Sequence, residues 1–174
     1  QSRALRGWKA VHAENYGCAA NMLDFEVLLG QMVSLNYRLT KDVDSADVVL
    51  VNTCGVKKPT EDRILGRLRK LSQTRKPMII AGCLPKINPK AVTKAAPNFA
   101  AILDTRSVHK IPEAVKSAEN GETGRIFFSN KPAAKLDLPK TDLKPPISII
   151  AISEGCAGAC AFCCVRFARG TLAS

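Results

Sequence analysis

Short apolar runs alternate with amphipathic segments four times along the chain, and this alternation constrains the fold more than any other feature. The runs predicted as strands are 10–15, 47–52, 78–82 and 99–103. The segments predicted as helices are 21–36, with Asn21 as its N-terminal cap, 59–73, 90–95 and 108–119. Strands that alternate with helices in this way form an open parallel sheet. The sequence therefore predicts an α/β fold with such a sheet over residues 1–127.

Three cysteines follow three of the predicted strands. Cys18 comes after the first strand, Cys54 after the second and Cys83 after the third, and each has a glycine beside it. Ligands of open parallel sheets collect beyond the carboxyl ends of the strands. A free cysteine taken singly is most often a buried core residue, so three unrelated core thiols are the alternative. Their shared place at one sheet edge favours a three-cysteine site.

A second group of cysteines, Cys156, Cys160 and Cys163, forms the pattern C-x3-C-x2-C directly after a run at 147–152 that is predicted as a strand. Three thiolates can hold three irons of a 4Fe-4S cluster and leave the fourth iron open. A structural zinc site, the alternative, needs four ligands, usually as two separated pairs. Cys164 adjoins Cys163 and is predicted to be a small buried residue rather than a ligand.

Positive charge is concentrated in one window of the sequence. The whole chain carries a net charge of +11, and residues 57–94 hold eleven basic and two acidic residues. Such an excess suits a polyanionic partner. Arg63, Arg67 and Lys70 follow one another along the predicted helix 59–73, and we consider them as an RNA-contacting row, with a solvated helix face as the alternative.

The cysteine content and the hydropathy also indicate a compartment. No apolar run approaches the roughly 20 residues of a membrane span, and no signal-peptide core is present near residue 1. Seven cysteines, four of them crowded into nine positions, do not suit a secreted disulfide framework. We therefore expect a cytoplasmic location and no membrane association for this portion.

A change of composition marks a boundary after residue 127. Four prolines among alternating lysines and aspartates indicate an extended linker over 128–146. The predicted strand at 147–152 and the cysteine loop then begin a second domain over 147–174, which we expect to be truncated.

Four motifs together resemble the methylthiotransferases, radical enzymes that insert sulfur and add a methyl group. These motifs are YGCAANMLD, VNTCGVKKPTEDR, AGCLPK and GCAGACAFCCVRFARG. The segments VKKPTEDRI, LDLPK and FARGTLAS are most similar to the archaeal and eukaryotic branch, which acts on N6-threonylcarbamoyladenosine at position 37 of tRNA, beside the anticodon. The resemblance implies a flavodoxin-like N-terminal domain followed by the first strand and cluster loop of a radical S-adenosylmethionine (radical SAM) barrel. The lead at 1–9 and Cys164 depart from the family's pattern.

The resemblance also implies cofactors and roles. Two 4Fe-4S clusters are expected, an auxiliary cluster and a second cluster that cleaves S-adenosyl-L-methionine, and the six ligands divide between them as Cys18, Cys54 and Cys83, then Cys156, Cys160 and Cys163. Phe162 is expected near the adenine of S-adenosyl-L-methionine or, alternatively, packed beneath the loop. The expected partner is tRNA, and neither the sulfur donor nor the electron donor is identified by the sequence.

Two alternatives to this function stay open at the level of sequence. The enzyme class is retained in the first, but the substrate becomes a ribosomal protein or isopentenyl-adenosine in tRNA. The second belongs to another class, a non-enzymatic iron–sulfur or zinc module that binds nucleic acid. Cleavage of S-adenosyl-L-methionine separates the enzyme from such a module.

Overall fold

Six parallel strands form a single sheet in the order β2-β1-β3-β4-β5-β6. The structure, a computed structural model, describes residues 7–174, so most of the predicted lead at 1–9 lies outside the described residues. The strands are β1 Lys9–Asn15, β2 Tyr37–Thr40, β3 Val48–Thr53, β4 Met78–Gly82, β5 Ala101–Leu103 and β6 Arg125–Phe127. The helices are α1 Ala19–Ser34, α2 Lys58–Ser72, α3 Leu84–Ile87, α4 Pro89–Ala95, α5 Ile111–Glu119 and α6 Val165–Arg169, with 3-10 turns at Val108–Lys110 and Lys135–Asp137.

Helices cover both faces of this sheet, as the apolar runs of β3 and β4 require. Every residue of β3 and β4 is buried, which is typical of central strands in a parallel sheet. One core lies between the sheet and the helices α1 and α5, and the other lies beneath α2 and α4. The strand order is that of flavodoxin-like folds, so the predicted α/β class is confirmed.

Two strands and one helix start differ from the prediction. The edge strands β2 and β6 were not predicted, because both are short and largely exposed and so lack an apolar run. The first helix begins at Ala19 with Cys18 at its N-cap position. Asn21, expected as the cap, is instead buried and donates to the carbonyl oxygen of Thr53 at 3.0 Å.

The predicted strand at 147–152 is not a strand among the described residues. Its only bridge joins Ile147 to Lys144 within the same turn, and both Ile150 and Ile152 are exposed. An isolated extended segment cannot form a strand without a neighbour to complete its hydrogen-bond ladder. The prediction therefore fails here for want of a partner strand.

Residues 128–146, predicted as an extended linker, lie along α1. Within this segment Ala133, Leu138 and Leu143 pack on the core between α1 and the sheet. The backbone N–H groups of Thr141 and Leu143 donate to the carbonyl and the carboxylate of Glu26, each at 3.1 Å. A Cβ on Gly30 would overlap the backbone at Pro139, so glycine is required for this close approach. The segment thereby carries the second cysteine group back to the sheet.

None of the helices within residues 7–174 is long and apolar enough to cross a membrane.

Candidate metal centres

The first three cysteines meet at the carboxyl edge of the sheet, as predicted from their positions after strands. Cys18 lies between β1 and α1, Cys54 directly follows β3, and Cys83 directly follows β4. Thr53 and Gly82 are paired in the β3–β4 register, so Cys54 and Cys83 leave adjacent strands at the same level. Accessibility decreases along the three thiols: Cys18 is exposed, Cys54 is half-buried, and Cys83 is 3% exposed.

Three asparagines that were not predicted as site residues fix the turns carrying these thiols. The Asn52 side-chain amide donates to the Asn15 side chain at 2.9 Å and to the Asn21 backbone carbonyl at 2.8 Å. Asn21 in turn donates to the Thr53 carbonyl. Asn15 is the last residue of β1 and Asn52 is the last but one of β3. An asparagine near the end of each of two neighbouring strands was the signal that the sequence offered. The network joins the turn that carries Cys18 to the end of β3.

Two glycines leave no room for a side chain at this edge. Gly82 has a φ of +102°, and a Cβ there would overlap the Thr53 carbonyl oxygen. A Cβ on Gly17 would overlap the side chain of Asn21. Glycine alone adopts the Gly82 conformation without strain. The turns that present Cys18 and Cys83 therefore depend on these two residues.

The protonation of Cys83 follows from its surroundings. Burial raises the pKa of the Cys83 thiol to about 12, with smaller contributions from Asp24, Cys54 and Cys18, while Arg169 acts in the opposite direction. Cys83 is therefore a neutral thiol at pH 7. A thiol must lose its proton to bind a metal, so metal binding at this edge releases a proton.

The second three cysteines line one cavity of about 550 Å³. The loop that carries them is closed by backbone hydrogen bonds from Cys156 to the Gly170 carbonyl and from Cys163 to the Cys160 carbonyl, each at 3.1 Å. The N–H of Gly158 points at the Cys156 sulfur at 3.3 Å. Backbone N–H groups aimed at sulfur are a typical means of stabilising a thiolate at an iron–sulfur cluster.

A buried arginine forms part of the wall of this cavity. Arg106, in the loop after β5, donates from Nε to the Arg169 carbonyl at 2.8 Å and from Nη1 to the Asn130 carbonyl at 2.6 Å, with a further bond to the Thr171 carbonyl. It thus fixes the backbone after α6 and places a positive charge in the wall of the cavity that the three thiols line. Sequence reasoning missed Arg106, because no local pattern shows a contact across more than sixty residues.

Each cysteine group fits an iron–sulfur cluster in the type and number of its donors. Within residues 7–174, no group of three or more His, Cys, Asp or Glu side chains is arranged to hold a single metal ion. A four-iron cluster binds each cysteine at a different iron, so its ligands lie further apart than those of one ion. Thiolate-only donor sets favour zinc or iron–sulfur clusters, and a closed zinc site requires a fourth ligand.

Phe162 and Cys164, two further residues of the second cysteine loop, differ in their exposure to solvent. Phe162 is 94% exposed, so the alternative that it packs beneath the loop is wrong, and its expected place near an adenine stays a prediction. Cys164 is half-buried and turns toward the first cysteine group, where its thiol approaches the Gly55 carbonyl at 3.8 Å. Burial raises the pKa of Cys164. It does not line the cavity of the other three thiols.

The basic row on α2 lies in a shallow groove, but its members differ. Arg67 makes a double hydrogen bond to Glu14, with Nη2 at 2.6 Å and Nε at 2.9 Å from Oε1. The guanidinium of Arg63 stacks over the Tyr16 ring at 5.2 Å, and Lys70 is exposed. The structure therefore brings the three together, while the charge of Arg67 is already paired within the protein.

Comparison with known proteins places this chain among sequences with a shared domain. Residues 10–104 match the family described as Uncharacterized protein family UPF0004. The chain is 38% identical to a probable threonylcarbamoyladenosine tRNA methylthiotransferase of Methanothermobacter thermautotrophicus, over 94% of this chain and 38% of that relative. It is 34% and 32% identical to the threonylcarbamoyladenosine tRNA methylthiotransferases of Danio rerio and Homo sapiens, over 98% of this chain and 32% and 30% of those proteins. The chain thus spans about a third of the length of these relatives.

Proposed function

Because the chain belongs to the family UPF0004, that of the methylthiotransferase N-terminal domain, we propose that it is part of a tRNA methylthiotransferase that modifies N6-threonylcarbamoyladenosine. The single observation that carries the proposal is the presence of two separate three-thiol groups. One lies at the carboxyl edge of the sheet and the other lines a cavity of about 550 Å³. Relatives from archaea and vertebrates named for this reaction support the choice of substrate.

In this proposal the residues of the chain hold and orient the reacting groups. Cys18, Cys54 and Cys83 hold an auxiliary 4Fe-4S cluster, and the loop of Cys156, Cys160 and Cys163 holds the second one. When bound, the clusters and S-adenosyl-L-methionine supply the radical, the sulfur and the methyl group for substitution at C2 of the adenine. Three protein ligands per cluster leave one iron of each free for another ligand.

Other side chains shape the surroundings of the second group. Arg106 lines the same cavity as the three thiols, and its positive charge attracts an anionic group of a bound ligand. The exposed ring of Phe162 is free to cover the adenine of S-adenosyl-L-methionine. Residues 1–127, 128–146 and 147–174 serve in this scheme as the N-terminal domain, the connection and the start of the radical domain, in a cytoplasmic enzyme.

Nucleoside analysis of tRNA tests the proposal. The full-length protein that contains this chain is reconstituted anaerobically with iron and sulfide, then incubated with a reductant, S-adenosyl-L-methionine and tRNA that bears N6-threonylcarbamoyladenosine. Mass spectrometry should show the 2-methylthio derivative of that nucleoside. The same incubation with isopentenyl-adenosine tRNA or with ribosomal proteins separates the alternative substrates. A protein that binds tRNA but cleaves no S-adenosyl-L-methionine would be a non-enzymatic module, and the proposal would be wrong.

A further inference from the structure

Four charged side chains, three of them buried and Glu154 half-buried, form a closed ring between the sheet domain and the second cysteine loop. Lys135 Nζ lies 2.6 Å from one carboxylate oxygen of Asp24 and 2.7 Å from one of Glu154. The Arg169 guanidinium lies 2.7 Å from the other oxygen of Asp24 and 2.8 Å from the other oxygen of Glu154. Each cation therefore contacts both anions. The ring joins residues that are up to 145 positions apart.

Burial of this ring costs desolvation free energy, so its presence calls for a structural role. Asp24 is 1% exposed and the Lys135 side chain is 3% exposed. Removing four charges from water is a large desolvation cost that their mutual attraction only just offsets, and apolar side chains of similar volume are often equally stable. In some proteins, buried ionic groups of this kind specify one geometry rather than add stability. The ring is therefore expected to fix an arrangement.

The position of the ring shows which arrangement it fixes. Glu154 precedes Cys156 by two residues, and Arg169 follows Cys163 by six, so both ends of the second cysteine loop are anchored in it. Asp24 lies on the helix that starts after Cys18. The helix α3, which starts after Cys83, packs against α6, which ends at Arg169. The ring thus lies between the two groups of thiols.

A second set of contacts ends at the same segment. Thr105 Oγ1 donates to the Ala168 carbonyl at 3.2 Å, beside the bonds of Arg106 to the residues that follow. A Cβ on Gly170 would overlap the Arg106 guanidinium. The second cysteine loop is therefore held by contacts from the loop after β5 as well as by the contact from Asp24 of α1.

We propose that the ring of Asp24, Lys135, Glu154 and Arg169 is a positioning device that holds the loop of Cys156, Cys160 and Cys163 at a fixed place over the edge of Cys18, Cys54 and Cys83. The four residues touch neither group of reacting atoms in this role and act through the cysteine loop. The consequence for sulfur transfer rests on the proposed function: the site that generates the radical and the site that donates sulfur must reach the same adenine.

Hydrogen exchange in the 174-residue chain tests the positioning directly. Glu154→Gln and Lys135→Met each break the ring, and Lys131→Met, at an exposed position in the same segment, is the matched control. The amides of Cys156, Gly170 and Ala173, which are hydrogen-bonded within the loop, should exchange at least tenfold faster in both ring variants and unchanged in the control. The β3 and β4 amides should keep their wild-type rates in the Glu154→Gln chain.

Two results of that experiment would overturn the proposal. Unchanged loop exchange in the Glu154→Gln chain would show that the ring does not hold the loop. A uniform acceleration that includes β3 and β4 would show that the ring only stabilises the whole fold. If Lys135→Met fails to fold, the milder Glu154→Gln variant decides, because it retains the size of the side chain and one carbonyl oxygen.

The full-length enzyme tests the consequence for catalysis. Glu154→Gln should raise the number of 5′-deoxyadenosine molecules formed per methylthiolated nucleoside by about tenfold, with iron per chain unchanged. A ratio equal to wild type would contradict the positioning role. If the wild-type enzyme methylthiolates no tRNA, the proposed function fails, while hydrogen exchange still decides whether the ring positions the loop.

Discussion

The backbone N–H of Cys83 donates to the carbonyl oxygen of Thr53 at 2.9 Å, which joins the end of β4 to the end of β3. Since Cys54 directly follows Thr53, this one bond sets two candidate ligands side by side. The bond requires the chain to turn sharply at Gly82, whose φ is +102°. The geometry of the first cysteine group therefore depends on backbone conformation as much as on the thiols.

Replacing Gly82 by Ala should destabilise the protein, because the new Cβ would overlap the Thr53 carbonyl oxygen. We expect a loss of about 2–4 kcal/mol in the free energy of unfolding, measured by urea denaturation. Gly66→Ala is the matched control, since Gly66 lies within α2 with open space around its Cβ position. It should stabilise the fold by about 0.5–1 kcal/mol. Equal effects of the two substitutions would contradict this account of Gly82.

The pair of Glu14 and Arg67 should make stability depend on pH in acid. Burial alone would raise the pKa of Glu14, but hydrogen bonds from Arg67, Tyr16 and His12 outweigh it and lower the pKa to about 2. A carboxylate with a lowered pKa stabilises the fold above its ordinary pKa, near 4.5, and loses that contribution as the pH falls toward 2. The wild-type free energy of unfolding should fall by roughly 2 kcal/mol more than that of Arg67→Gln across this window. Lys70→Gln, which removes an exposed charge from the same helix, should retain the wild-type dependence.

The salt dependence of tRNA binding tests the basic groove without disturbing the Glu14 pair. If Arg63 and Lys70 contact phosphates, replacing both by Gln should reduce the log–log slope by about 0.7–0.9 per contact, as measured by filter binding or anisotropy of the full-length protein. Lys90→Gln with Lys94→Gln removes two exposed charges from α4 and is the control. If both double variants change the slope equally, only the total charge matters. An unchanged slope would make the row a solvated helix face.

Adjacent cysteines of the second loop should behave differently. Cys163 lines the cavity with Cys156 and Cys160, whereas Cys164 turns toward the Gly55 carbonyl. Cys163→Ala in the full-length protein should therefore lose about four irons per chain, and Cys164→Ala should lose none. Loss of iron on replacement of Cys164 would show that it serves as a ligand.

The elements predicted from sequence are those whose signals are local. The buried runs that became β3 and β4, and the cysteines and glycines after them, follow patterns only a few residues long. The short edge strand Tyr37–Thr40 lacks such a pattern because one of its edges has no partner strand. Asparagine is a preferred helix-cap residue, but the Asn21 side chain donates to the Thr53 carbonyl oxygen instead. This contact depends on the position of the neighbouring strand β3.

The thiols of the candidate site were predictable from the sequence, but the charged residues that position the thiol-bearing segments were not. Asp24, Lys135 and Arg169 meet only after the chain has crossed the sheet and returned along α1, so no spacing in the sequence links them. Arg67 has the pattern of an exposed basic row, yet its partner Glu14 lies on a different element. Long-range ionic partners of this kind are decided by the topology, and the sequence alone does not show them.

Iron stoichiometry tests most directly the central claim, that two groups of three cysteines hold two clusters. The full-length protein, purified without oxygen and reconstituted with iron and sulfide, should contain about eight irons and eight sulfides per chain. Substitution of Cys18, Cys54 and Cys83 by Ala should reduce the iron to about four, and substitution of Cys156, Cys160 and Cys163 should do the same. A colourless protein with stoichiometric zinc, or a Cys18, Cys54 and Cys83 triple variant that still contains about eight irons, would contradict the account.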